Sequence, residues 1–582
     1  MEEELKKKVK AYALRNAILH KGKAQIGAVI SALFQEGLKK DDIDSVINDI
    51  QKIVDETNKL NAEEQERQFQ GLHEIVKERE AREGLPELEN AIEGRVVMRF
   101  APYPSGPLHL GNTRQLLLND YYAKKHKGKF YLVFDDTIGS EEKPIAKEAY
   151  KLIEHGVKWL GVKHAKPVIY KSDRLEIYYK YAEELIKKGN AYACSCSSET
   201  LRYNRAKGME CACRQYSIAK QLERWKTMFS AREGECTLRL KTSMQHPNPA
   251  FRDRVLFRIS EREHPRVGNK YRVWPLLDFS WAVDDHLLGI THIIRGKDLM
   301  MESEMEKFIW DIFGWEHPIL IHTGLFQIEG AKISKSKGQQ EIMAGKYSGW
   351  DDPRTWSLQS LEKRGMQPEA IRKFCLSLGL TQAETTVPID VLYAENRKLL
   401  EKSKRFFFVA EPVKIKIENA LPMKVKIPLH PEAKLVKSAK KKADEKIERI
   451  FSATNEFFIS KDDFRQLSQG EDFRLMYLFT FKSKKKPLAN ETYFEFVSKE
   501  KFESVKPRFL HWLPADKKNE KNLVKASVLM IDGSLIRGVA EEGIKCIKIG
   551  EVVQFERFGF CRLNGIKKAG NSEEYEFWFA HR

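Results

Sequence analysis

Apolar positions in residues 1–83 recur three and four apart, as in AVISALFQEGLKKDDIDSVINDIQKIV, with neither proline nor cysteine. That spacing predicts a small, charged helical module. Gly84 and Pro86 in REGLPELENA interrupt it, so residues 84–93 read as a linker. From residue 94 the texture changes. RVVMRFA (95–101) and FYLVFDD (130–136) are short apolar runs of the kind buried strands show, and helical patterns lie near 113–126 and 144–160. Apolar strands alternating with helices predict a parallel α/β sheet whose first half covers 94–189. A second set, PLLDFSWAVDDHLLGITHIIRG (275–296) followed by HPILIHTGLF (317–326), makes a second half over 269–345. Residues 190–268 are an insertion between the halves, and 346–404 a helical connection. Over 405–582 short runs such as RFFFVAEPVKIKIENA and SVLMIDGSLIRGVAEE alternate with Gly-containing turns and predict β-barrels. LVKSAKKKADEKIER (435–449) reads as a solvated loop or helix. No internal repeat stands out.

Composition narrows the partner. The 582 residues are 42% hydrophobic, enough for several cores, and carry a net charge of +18. Residues 401–582 hold 37 Lys+Arg against 26 Asp+Glu, so +11 of the excess lies in under a third of the chain. Such a balance favours a polyanionic partner, nucleic acid first, over a merely solvated surface. No apolar stretch approaches the roughly 20 residues that span a bilayer, and MEEELKKKVK lacks the apolar core of a signal peptide. A cytoplasmic, reducing compartment with no membrane partner is expected, where clustered cysteines point to metal or redox chemistry before disulfides.

Two stretches carry chemistry. SGPLHLGN (105–112) sets one histidine among Gly and Pro where a strand hands over to a helix, and helix N-termini present unpaired N–H groups to anions. GAKISKSKG (330–338) places three lysines between glycines. Each alone is as readily a plain turn. Together they open one α/β half and follow the other, and ligands of doubly wound sheets bind at the switch between halves, so both can reach one nucleotide.

HLGN and KISKS resemble the paired HIGH and KMSKS signatures of class I aminoacyl-tRNA synthetases. With RFAPYPSGPLHLGN, FDDT and VDDHLLGITHIIRGKD they resemble the glutamyl-tRNA synthetases of the archaeal and eukaryotic type, strongly over about 94–400 and more loosely beyond. The resemblance implies a Rossmann-like catalytic domain with an acceptor-binding insertion, C-terminal anticodon-binding barrels, and ligation of L-glutamate to tRNA with ATP and Mg²⁺. It implies that Ser105, His109, Gly111, Asn112, Ile333, Ser334 and Lys335 bind ATP. His109 would donate to the triphosphate, Gly111 would let the backbone approach, and Lys335, assisted by Lys332, would neutralise the departing pyrophosphate. Asn112 stands where many class I enzymes carry a second histidine. For glutamate it implies Arg99 as a holder, Asp135 for the α-ammonium, Arg295 for the side-chain carboxylate and Asp278 near the substrate. Leu277 takes the place of the family's tyrosine. Without the resemblance, Arg295 reads as an ordinary ion pair with Asp284 or Asp285.

Cys194-Ser-Cys196 and Cys211-Ala-Cys213 form a C-x-C…C-x-C array whose four thiolates suit tetrahedral zinc in a closed structural site. The alternative is four free thiols. Cys236, Cys375, Cys546 and Cys561 read as core. A glutaminyl enzyme shares the architecture, but a neutral amide gives no reason for Arg295, and an idle RNA-binding scaffold gives none for His109, Lys332 and Lys335. Glutamate tRNA is the expected partner, glutamine tRNA stays open as a second, and the helical module is free to bind another protein.

Overall fold

The computed structural model describes residues 3–20, 22–35, 38, 42–76, 84–138, 144–330, 335–430, 448–483, 494–499, 507–570 and 572–582. The chain divides into two compact units, Met1–Glu83 and Gly84–Arg582.

In the first unit, helices α1 (Glu3–Leu19), α2 (Ile26–Gln35), α3 (Ile43–Thr57) and α4 (Ala62–Gln70) enclose a core of Val9, Ala13, Ala17, Val29, Leu33, Ile50 and Val54. The spacings 9, 13, 17 and 50, 54 put these residues on single helical faces. Buried Gln65 ties the module together by donating to the carbonyls of Gly22, Thr57 and Leu60.

The second unit begins with a parallel sheet. Strand β1 (Val97–Phe100) pairs with β2 (Lys129–Phe134), and β2 with β3 (Ile169–Tyr170). Helix α5 (Leu110–Lys125) connects β1 to β2, and α6 (Lys147–Trp159) precedes β3. After α7 (Leu175–Lys187), the insertion builds an antiparallel sheet in chain order from β4 (Ala191–Cys194), β5 (Thr237–Leu240), β6 (Val255–Ile259) and β7 (Val273–Pro275). Helices α8 (Ser198–Lys207) and α9 (Ile218–Met228) lie between β4 and β5. The chain returns through α10 (Leu277–Leu287) to β8 (His292–Gly296), then α11 (Met300–Phe313) and β9 (Ile319–Thr323), with β8 parallel to β9.

The two parallel halves meet where the Thr291 amide donates to the Val97 carbonyl and the Val97 amide to Thr291 Oγ1, both at 2.9 Å. Beyond that point Asn119 of α5 bonds both backbone groups of Ile294, its Nδ2 to the carbonyl at 2.8 Å and its Oδ1 to the amide at 3.3 Å. Among the described residues no ladder pairs β1 with β8, so the two parallel sheets are separate, and in doubly wound folds ligands bind at the switch between halves. One apolar core runs beneath the first half and continues under α13 (Leu358–Arg364), α14 (Pro368–Ser377) and α15 (Ile389–Leu400) through Leu358, Leu361, Ile371, Phe374 and Leu392, after α12 (Lys335–Met343); α10 and α11 share a second core with the insertion.

The remainder is sheet-rich. Among the described residues, one seven-stranded sheet has Arg405–Phe406 at one edge and Phe408–Ala410 at the other. Its edge strands are consecutive in the chain, so the sheet must curl until they meet. A second seven-stranded sheet includes Pro412–Glu418 and Glu456–Ser460. Two details differ from expectation. Most of 435–449 lies outside the described residues, but Arg449 is not solvated. It sits in strand Glu448–Ala453, buried, bonded at 2.6 Å to both Glu541 and Glu556, because two acids that each follow a distant strand meet it there. Cys375 and Cys561 are buried as core, Cys236 is half-buried, and Cys546 is exposed at the end of a short 3₁₀ turn.

Candidate active site and metal centre

The histidine turn begins where β1 ends. His109 is the N-cap of α5, with extended backbone (φ −125°, ψ 171°), and its Nδ1 accepts from the Gly111 amide at 3.0 Å. An acceptor at Nδ1 fixes the neutral tautomer, so the imidazole proton sits on Nε2, the nitrogen that can donate to an anion. The ring lies so close that a Cβ on Gly111 would stand 2.8 Å from His109 Cε1. Asn112 follows in the first turn, its Oδ1 buried without a hydrogen-bond partner. Ser105 lies in the preceding turn, its amide donating to the Tyr103 carbonyl.

Of the lysine loop, Lys332, Ile333 and Ser334 lie outside the described residues, and Lys335 is described only as the first residue of α12. Trp350 nonetheless joins the two signatures. A Cβ on Gly106, in the histidine turn, would meet the Trp350 ring at 3.0 Å, and one on Gly338, in α12, would meet it at 3.3 Å. The turn that precedes α5 and the helix that follows the lysine loop therefore pack on one indole.

A buried charge cluster is built on α10. Asp278, Trp281 and Asp285 recur at helical spacing on that element. Arg99 on β1 donates through Nε and Nη2 to the two oxygens of Asp285, the latter at 2.7 Å. Arg295 on β8 donates through Nη1 and Nη2 to the two oxygens of Glu306 of α11, at 2.9 and 2.6 Å, and its Nε donates to Ser303 Oγ. Arg295 is an ion pair, as one reading allowed, but its partner is neither Asp284 nor Asp285: those are taken by Arg174 and Arg99. Lys171, fully buried, holds its Nζ 3.1 Å from Asp135 Oδ1 and 2.9 Å from Ser280 Oγ, while Asp135 Oδ2 is buried without a hydrogen bond. Asp278 pairs with Arg254, which also binds Glu302 at 2.9 Å.

Three of these cations face one ring. Arg99, Lys171 and Arg295 stand 4.7, 4.9 and 5.1 Å from the Trp281 centroid, distances at which an aromatic quadrupole attracts cations. The Trp281 Nε1 is buried without an acceptor. Burial dominates the electrostatics. It pushes the carboxyls of Asp278 and Asp284 up, and that of Glu306 to about 7, against the pull of their arginines. It lowers the Lys171 ammonium despite Asp135. Lys171, Trp281, Ser303 and Glu306 went unread in the sequence. Trp281 alone had a local signal, its place on the same face as Asp278 and Asp285.

In the insertion, Cys194 at the end of β4 and the half-buried Cys196 meet Cys211 and Cys213 around a short 3₁₀ turn. All four Sγ atoms lie within 4.8 Å of one another, and Cys194 and Cys211 are 3.8 Å apart. Tetrahedral zinc with Zn–S bonds of about 2.3 Å needs sulfur edges of roughly 3.8 Å, so this donor set fits. Around the sulfurs stand donors that favour thiolate: Tyr192 OH 3.7 Å from Cys211, Arg239 Nη1 3.9 Å from Cys194 and Cys211, and Arg224 Nη2 3.7 Å from Cys213. The hydrogen bond from Cys194 first, and that from Tyr192 after it, bring the Cys211 thiol down to about 4, while Cys194 is pushed up.

Against known proteins, residues 95–402 match the family model for tRNA synthetases class I (E and Q), catalytic domain. Residues 403–496 and 509–564 match two models for the anti-codon binding domain of the same group. A glutamate–tRNA ligase of Pyrococcus furiosus is 42% identical over 97% of this chain and 98% of its own length. Those of Methanothermobacter marburgensis and Thermococcus kodakarensis are 38% and 39% identical over 98% and 100% of both chains. With family models over most of its length and relatives at about 40% identity end to end, the chain belongs to the class I tRNA synthetases of the E and Q group.

Proposed function

We propose that the protein is a glutamate–tRNA ligase, activating L-glutamate with ATP to glutamyl-adenylate and pyrophosphate and passing glutamate to the 3′-terminal adenosine of tRNA. The observation that carries this reading is the end-to-end likeness to relatives of that name. The geometry supports it. His109, the N-cap of α5, would donate to a triphosphate, and Lys335 and Lys332 would follow the charge of magnesium pyrophosphate as it leaves. In-line attack of a carboxylate on the α-phosphorus needs alignment and charge stabilisation more than covalent help from the protein. Ser105, Gly111, Asn112, Ile333 and Ser334 complete the ATP site. Asp135 Oδ2, buried and open to a donor, would accept the α-ammonium, with Arg99, Asp278 and Arg295 around the carboxylates.

We assign residues 94–189 and 269–345 to the Rossmann-like catalytic halves and 190–268 to acceptor-end binding. Residues 346–404 form the connection and 405–582 the anticodon-binding barrels. Cys194, Cys196, Cys211 and Cys213 would hold structural zinc. The Met1–Glu83 unit is free for another protein, and the setting is cytoplasmic. The test is charging of purified glutamate and glutamine tRNAs with labelled glutamate and labelled glutamine. Labelled glutamate should appear on glutamate tRNA, and on glutamine tRNA too if the enzyme is non-discriminating. Glutamine on either tRNA, without glutamate, would overturn the assignment.

A further inference from the structure

Arg295 is the group proposed to meet the substrate's side-chain carboxylate, yet both arms of its guanidinium fork already hold Glu306. The surrounding charges leave no spare cation. Arg99, Lys171, Arg174 and Arg295 stand against Asp135, Asp284, Asp285 and Glu306, all four acids buried, and Arg254 faces both Asp278 and Glu302. Free glutamate carries one net negative charge at neutral pH. Adding it to a buried cluster with no cation to spare leaves a charge uncompensated, which is expensive.

We propose that Glu306 stands in for the substrate's side-chain carboxylate in the free enzyme, and that glutamate binds by taking the Arg295 fork as Glu306 takes up one proton from solvent. The proposal rests on the reading of the protein as a glutamate ligase. The balance is simple: the entering carboxylate forms two bonds to Arg295, Glu306 gives up those two and becomes a neutral acid, and the proton returns to solvent when the site empties. Glu306 is thus a positioning residue acting through Arg295. It also sharpens the choice of amino acid. Glutamine brings no anion to displace Glu306, so the existing pair stays closed against it.

The surroundings of Glu306 suit a proton-accepting acid. From α11 itself comes Ser303, from β8 Arg295, from β1 Arg99, from α10 Asp285 and the Trp281 ring, and from β9 His322, whose Nε2 is 2.7 Å from Ser303 Oγ. Burial first, and Asp285 in addition, raise the Glu306 carboxyl to about 7 against Arg295 and Arg99. Asp285 is engaged by Arg99 through both oxygens, and burial lowers His322, which makes the imidazole a poorer proton acceptor.

The sign follows. Below about pH 7 Glu306 is protonated before glutamate arrives, and binding needs no further proton. Above it each pH unit removes tenfold of the competent form. In charging assays on the full chain with its tRNA, the KM for glutamate should be flat from pH 6 to about 7 and then rise close to tenfold per unit to pH 8.5. The KM for ATP should not share that slope. Glu306→Gln, a permanent mimic of the neutral acid, should flatten the glutamate profile and lower the KM at pH 8.5 by tenfold or more. A pH-independent wild-type KM, or a Gln variant keeping the wild-type slope, would overturn the proposal. Should that variant misfold, calorimetry of glutamate binding to the wild type at pH 8, in two buffers of different ionisation enthalpy, decides it. Close to one proton taken up per glutamate is expected, and none refutes it. A wild type that charges no glutamate at any pH would instead sink the ligase reading.

Discussion

A single methyl group tests the histidine turn. Gly111 has ordinary backbone for alanine, but the added Cβ would lie 2.8 Å from His109 Cε1 and 3.0 Å from Nδ1. The ring would have to swing off the Gly111 amide, giving up an N-cap worth about 1 kcal/mol and moving the Nε2 donor by the order of an ångström. Displacement of that size costs on the order of 10²-fold in rate. Gly111→Ala should therefore lower pyrophosphate exchange, assayed with tRNA present, by roughly 10- to 100-fold, with the KM for glutamate nearly unchanged and the fold intact by circular dichroism. Near-normal exchange would remove His109 from the ATP site. At this scale the sequence was legible where chemistry is local. His109 and Gly111 sit two residues apart in one turn, and the glycine and proline around them announce it. Glu306 and Lys171 were not legible, because a buried ion pair formed by packing between elements leaves no pattern along the chain. The alternative reading of Arg295 as an ion pair named the right kind of contact and the wrong carboxylates for the same reason.

At the scale of elements, α10 shows what periodicity conveys. Its spacing 278, 281, 285 marks one face, and that face carries the charge cluster instead of core. The cysteine module is more legible still, since two C-x-C pairs fold back by turns short enough for the spacing to imply the cluster. Its stability is a different matter. Helix α8 has no buried residues, and its Ser197 N-cap and Gly208 C-cap satisfy only its ends. The four sulfurs pack with little besides Tyr192 and Leu201. Such a segment draws its folding energy from metal when metal is bound. Protein purified without added zinc should carry one zinc per chain. Removing it with a chelator should raise amide exchange over 194–213 by orders of magnitude while β1, β2 and β8 stay protected. A stoichiometry near zero, with all four thiols titratable in the native protein, would count against a metal centre. Protection lost equally in the parallel sheet would show instead that the insertion and catalytic halves unfold as one.

The whole molecule separates into a part that can be removed and a part that cannot. The last strand of the chain is locked to the helical connection: fully buried Arg364 donates to the Ala580 carbonyl at 3.0 Å, Asn396 Nδ2 lies 2.9 Å from His581 Nε2, and Arg397 reaches the Arg582 carbonyl at 2.7 Å. Cutting near residue 400 would strand a buried arginine, so loss of tRNA binding there could not be told from misfolding. Met1–Glu83 is different. It has its own core and holds 15 Lys+Arg against 17 Asp+Glu, a net −2, leaving +20 on residues 84–582. Attraction to the phosphates of tRNA belongs to the latter. Each phosphate neutralised contributes a slope of about −0.7 to −0.9 to log affinity against log salt, and a unit of net negative charge has few such contacts to lose. A chain beginning at Gly84 should therefore charge glutamate tRNA with a KM within about twofold of the full chain at 100 mM KCl. Its salt slope should agree with the full chain's to within one phosphate equivalent between 50 and 300 mM. A shallower slope by two or more would mean that lysines of the helical module touch the tRNA backbone, and that module would then be part of the nucleic-acid surface instead of a platform for another protein.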